Sequence, residues 1–209
     1  MIKNIIRFNF LRSQKIITIC LVLINISFFL YEIKTTGLIP ILSGKESNIS
    51  LIKSGANYAP LSLHHQPYRL IISLFLHASL LHIVTNMITL LVFGFALERR
   101  TNIFNYLIIY LTSGIIGNIT SSLVNPHLVS VGASGAIFGV MAAITAYALF
   151  TPKKTQAYFP ALFIFLLWNL LSGLSDPSID ILAHLGGLVS GFCLPLISIV
   201  LEHLRYFKK

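Results

Sequence analysis

Charge is what this chain of 209 residues has least of: Asp, Glu, Lys and Arg make up 10% of it, and only six residues are acidic. Soluble domains carry roughly 25% charged residues, so a soluble globular class is excluded. Cysteine is nearly absent. Cys20 and Cys193 both lie inside apolar runs and read as small core hydrophobes, which excludes a disulfide framework and a thiolate metal site. No internal repeat or low-complexity tract is visible, and the length leaves no room for a separate soluble domain. With so few acids the net charge is +9. In a chain this apolar, the excess reads as cytoplasmic flanks held by the positive-inside bias, not as a nucleic-acid footprint.

What is present is hydrophobic surface, 56% of the residues. Apolar runs predict an all-α polytopic membrane protein with six transmembrane helices, at about 16–33, 72–97, 103–123, 132–150, 157–174 and 181–201. The basic start "MIKNIIRFNFLRSQK" precedes a run too long for a signal-peptide core and without a small-x-small cleavage site. It is read as the flank of a retained first span. The division is therefore a cytoplasmic N-terminal flank (1–15), a six-helix membrane domain (16–203) and a cytoplasmic basic tail (204–209). Between the first two spans runs a long connection, broken by Gly37, Pro40, Gly44, Gly55 and Pro60. It is too apolar for a solvated loop and is expected at the outer membrane interface as short helical pieces.

Lysine and arginine set the orientation. Lys3, Arg7, Arg12 and Lys15 precede span one, Arg99 and Arg100 follow span two, Lys153 and Lys154 follow span four, and Arg205, Lys208 and Lys209 end the chain. The loops after spans three and five have none, so both termini are expected in the cytoplasm. Spans two, four and six then run from outside to inside. Their first turns hold His77, His82 and Asn86, Ser134, and His184. Helical rise puts these groups roughly 10 Å below the outer surface. Polar groups in hydrocarbon need partners, since an unpaired one costs about 2–7 kcal/mol. Five at one level point to a shared, partly hydrated cavity.

Small residues indicate which helices meet. Gly135 and Gly139 share a face of span four, and Gly187 and Gly191 lie on the face of His184 in span six. Such faces let backbones approach closely, which would bring His184 to Ser134. A serine hydroxyl becomes a nucleophile when a neutral imidazole accepts its proton. His82 and Asn86, four apart on one helical face, are suited to donate to an oxyanion, as is the Ser134 backbone N–H. His77 and His82 are five apart, on different faces, with no carboxylate or thiolate beside them, so no metal is assigned. Asp180, four residues before His184, is read as a loop-end residue, with a third triad member as the alternative. Phe138, one turn after Ser134, is either core packing or the surface on which the His184 ring rests.

In order and spacing, "GAN" (55–57), "YR" (68–69), "FLHASLLHIVTNM" (75–87), "LERR" (97–100), "GASGAIFG" (132–139) and "AHLGGLVSG" (183–191) resemble the rhomboid intramembrane serine proteases. The resemblance implies Ser134 as nucleophile, His184 as base, His82 and Asn86 as oxyanion stabilisers, and Arg69 as a structural anchor of a membrane-associated first loop. It implies no cofactor. His77 matches a recurrent histidine without an assigned step. The family's tryptophan-arginine is Tyr68-Arg69 here, and a frequent tyrosine on the histidine is Phe138. The expected activity is endoproteolysis of membrane proteins with one or few spans, near the extracytoplasmic side, in a bacterial cell membrane. The partners would be those substrates and the lipid bilayer, with no nucleic acid. The rivals are a proteolytically inactive relative that binds membrane proteins and a small transporter. The first usually lacks the serine or histidine, and the second would show ionisable residues along a path.

Overall fold

The computed structural model describes residues 16–42, 44, 46–150, 164, 167 and 179–207, the last ten of these by backbone alone. Apart from residues 164 and 167, the predicted fifth span lies outside the described residues, as do most of the basic residues that set the orientation. What is described is helical, with one isolated bridge between Asn57 and Ser130. Among the described residues three helices, α1 (Ile16–Thr36), α6 (Leu80–Glu98) and α7 (Ile103–Val124), are long and apolar enough to cross a membrane. Helices α8 (Ser134–Phe150) and α9 (Ile181–Phe207) add shorter apolar stretches.

Between α1 and α6 the chain forms four short helices: α2 (Leu38–Leu42), α3 (Asn48–Ser54), α4 (Ala59–Ser62) and α5 (Arg69–Ile72). A 3₁₀ turn, Ser73–Phe75, follows α5. Pro40 and Pro60 do not interrupt these pieces; each sits near the start of one, where a missing N–H costs nothing. Gly55 ends α3 at φ +112°, donating to the carbonyls of Leu51 and Ile52. The Arg69 guanidinium binds the same corner: Nη1 donates to the carbonyls of Ile52 (2.6 Å) and Ala56 (3.2 Å), and Nε to Gln66 Oε1 (2.6 Å). A planar, always charged fork suits three acceptors at once.

The connection is tied to the helices by amides. Asn57 exchanges backbone bonds with Ser130, and its side chain bonds Ser122 and the Asn118 carbonyl on α7. Asn118 donates in turn to the Leu70 carbonyl and to Ser73 Oγ, each at 2.9 Å. The Asn57–Ser130 exchange satisfies backbone outside the helices, as irregular chain at membrane depth requires, and the amide side chains fasten it to α5 and α7.

One expectation is corrected. Span two does not begin at residue 72. The chain extends at Leu76 (ψ 150°), and α6 starts only at Leu80, where Ser79 Oγ caps by accepting from the His82 N–H. His77 therefore precedes the helix and is not in its first turn.

Helix α1 buries one stripe, Thr18, Leu21, Asn25, Phe29 and Glu32, and leaves Leu23, Leu30 and Tyr31 exposed. Its N-terminus is capped from a distance. The Glu98 carboxylate, at the end of α6, accepts from the N–H groups of Ile17 (2.9 Å) and Thr18 (3.3 Å) and from Thr18 Oγ1 (2.7 Å). An anion at a helix N-terminus meets both the free donors and the helix dipole.

Candidate active site

Helices α8 and α9 cross through glycines. A Cβ on Gly187 would collide with the Gly135 carbonyl, and one on Gly191 with the Gly139 backbone. In lipid, where apolar burial gives little drive for association, contact this close supplies the packing that holds helices together. Helix α7 joins through its own small residues: Gly117 backs onto the Ala183 carbonyl, and Gly139 onto Ser113. The sequence reading assigned α7 no part here. Its small residues, Ser113, Gly114 and Gly117, were the available signal.

At the N-terminal ends of α8 and α9 stand the two residues brought together. His184 Nε2 lies 2.8 Å from Ser134 Oγ. Ser134 is the first residue of α8, so the first-turn N–H groups, its own among them, have no intrahelical acceptor. The preceding segment is made possible by Gly132, at φ +119°, whose N–H is held by the Ser73 carbonyl at 2.8 Å. The His184 ring is buried and stacks on Phe138, with centroids 4.3 Å apart and planes 9° from parallel. Of the two readings of Phe138, the structure adopts the stacked one. Asp180 accepts from the Ala183 N–H through Oδ1 (3.0 Å) and thus caps α9.

The third wall is α6. The His82 ring lies against Gly132, where an added Cβ would stand 2.7 Å from Cε1 and Nε2. The His82 ring is thus carried against the residue two positions before Ser134. Asn86, buried one turn further on, spends one amide hydrogen on the His82 carbonyl (3.0 Å), leaving its second. His77 is fully buried, its ring edge-on to that of His82 at 5.0 Å between centroids. Its N–H donates to the carboxylate of Glu32 on α1. Sequence reasoning did not find Glu32, a lone acid inside an apolar run.

Chemically, the arrangement joins a hydroxyl, an imidazole in hydrogen bond with it, a helix N-terminus and two further potential donors. Such a set can activate a serine and accommodate negative charge on an acyl oxygen.

Comparison with known proteins points the same way. The Rhomboid domain family model matches residues 64–200. RHOMBOID-like protein 2 of Arabidopsis thaliana is 38% identical over 160 residues, covering 74% of this chain and 50% of its own length. Rhomboid-like protease 3 of Toxoplasma gondii is 35% identical over 149 residues (69% and 57%). Rhomboid protease GluP of Bacillus subtilis (strain 168) is 33% identical over 166 residues (79% and 31%). The chain spans about half the length, or less, of the first curated plant relatives it matches. The matched residues include Ser134, His82, His184 and the glycines through which α8 and α9 cross, and the chain belongs to the Rhomboid family of integral membrane proteins.

Proposed function

We propose that the protein is an intramembrane serine endopeptidase that cleaves transmembrane segments of membrane proteins with one or few spans. The observation that carries this reading is the 2.8 Å contact between His184 Nε2 and Ser134 Oγ at the start of a buried helix. With the Nδ1 tautomer, His184 accepts the Ser134 proton as Oγ attacks the scissile carbonyl. The oxyanion is met by the Ser134 N–H, His82 and Asn86. His184 then returns its proton to the leaving amine, and the acyl-enzyme is hydrolysed by water activated through the same imidazole.

The chain is read as six spans: α1, α6, α7, α8, a fifth over 157–174, and α9 within the membrane domain 16–203. The basic flanks at 1–15 and 204–209 support a reading with both termini in the cytoplasm, the membrane being that of a bacterial cell. Cleavage then falls near the extracytoplasmic side. The connection before α6 is read as membrane-associated, since Ile39 (80% exposed) and Ile49 (68%) present apolar side chains on its surface. A substrate helix shields its peptide bonds by its own hydrogen bonds, so it must unwind locally, more easily near Gly or Pro.

The test is labelling of the purified protein with a fluorophosphonate, alongside cleavage of a model transmembrane substrate. Both should occur, and both should vanish in Ser134→Ala and His184→Ala with the fold intact. Undiminished cleavage by Ser134→Ala would overturn the assignment of the nucleophile, and a well-folded parent that neither labels nor cleaves would favour a membrane-protein-binding role.

A further inference from the structure

Glu32 is an acid in a membrane-crossing helix that the chemistry above does not use. It is fully buried in α1, 45 residues from the amide it serves: its carboxylate oxygens lie 3.1 and 3.3 Å from the His77 nitrogen. Acids inside membrane segments are costly and rarely serve packing alone. Here the carboxylate receives the one amide that the unwound residues before α6 turn toward α1. His77 Nδ1 lies 3.3 Å from the Phe75 carbonyl, and Nε2 has no partner among the described residues. The ring is therefore aimed by the Glu32-bound backbone and by its Nδ1 bond to the Phe75 carbonyl, and its edge meets the His82 ring. His82 in turn occupies the space that a side chain at position 132 would fill. Glu32, His77, His82 and Gly132 form a continuous line from α1 to the residues just before Ser134.

We propose that Glu32 is a positioning residue for the oxyanion side of the site: its carboxylate fixes the His77 backbone, and His77 holds the His82 ring over Gly132. The inference rests on the reading of His82 as an oxyanion donor. Without the acceptor, the His77 N–H is buried and unmet, and the chain ahead of α6 is free to wind into that helix and swing the ring away. The distance from Glu32 to Ser134 does not matter, because the effect runs through backbone placement and two rings.

The experiment is a double-mutant cycle on the full chain in detergent, read as kcat and KM on a model transmembrane substrate, with thermal midpoints. Glu32→Ala should lower kcat by about tenfold or more, with KM within about twofold, because a donor used in the transition state has been misplaced. Glu32→Gln keeps an oxygen for the His77 N–H and should stay within about threefold of the parent. On a His82→Ala background, Glu32→Ala should cost almost nothing more, since its target is gone. A multiplicative loss on that background, or full activity in Glu32→Ala, would overturn the proposal. Where Glu32→Ala does not fold, Glu32→Met supplies similar volume without an acceptor. If neither folds, Glu32 is a structural residue and the proposal falls. Failure of the underlying reading shows separately, as cleavage that survives Ser134→Ala or is indifferent to His82→Ala alone.

Discussion

Phe138 lies flat against His184, ring on ring at 4.3 Å, while the Nε2 edge of the imidazole meets the Ser134 hydroxyl at 2.8 Å. The imidazole is thus held in plane by an aromatic face and in rotation by a hydrogen bond. An aromatic pair contributes about 0.5–1.5 kcal/mol beyond its buried area. Phe138→Leu should therefore slow cleavage roughly three- to tenfold, and Phe138→Tyr should stay near the parent rate. Rates of fluorophosphonate labelling measure this directly; an unchanged rate in Phe138→Leu would show that the stack has no part in aiming the base.

Asn86 tests the oxyanion assignment. Removing one such donor costs about 10² to 10³ in turnover, roughly 3–4 kcal/mol. Its amide already gives one hydrogen to the His82 carbonyl, so only one is available to substrate. Asn86→Ala should slow cleavage strongly without abolishing it, and His184→Ala should be far more damaging. A well-folded Asn86→Ala enzyme at the parent rate would make Asn86 a helix-internal structural residue.

Gly187 measures the crossing of α8 and α9. A methyl group there meets the Gly135 carbonyl, which is backbone and cannot swing aside. Overpacking of this kind costs about 1–3 kcal/mol, and relief by separating the helices would lengthen the Ser134–His184 contact. Gly187→Ala should thus lower both the thermal midpoint and kcat. Loss of stability with unchanged turnover would separate the packing from the chemistry.

Arg69 should act on stability alone. Hydrogen bonds to charged groups contribute about 1.5–3 kcal/mol each, and the guanidinium makes three. Arg69→Ala should lower the thermal midpoint markedly, with Arg69→Lys recovering only part because an ammonium cannot reproduce the fork. A midpoint equal to the parent's in Arg69→Ala would mean the corner at Gly55 is held by other contacts.

The proposed Ser134–His184 dyad would need no metal, so labelling and cleavage should be indifferent to strong chelators. Activity lost to phenanthroline and restored by zinc would point to the histidines as ligands instead.

Much of this protein is determined by the sequence alone. Apolar runs longer than a globular helix declare the membrane, and helical periodicity of 3.6 residues lets Gly135 with Gly139, and His184 with Gly187 and Gly191, be assigned to shared faces without coordinates. Those are local facts, carried by spacing within one helix. What only the tertiary structure decided is where polar groups find partners across the chain. Glu98 caps a helix 80 residues earlier, Asn57 reaches Asn118 and Ser122, and Glu32 takes the amide of His77. The start of α6 at Leu80 belongs with them, because an apolar run reads alike whether its chain is wound or extended. In hydrocarbon each unwound amide must be satisfied by protein, and the partners of the Asn57, His77 and Gly132 amides come from distant parts of the chain, at separations no local pattern records.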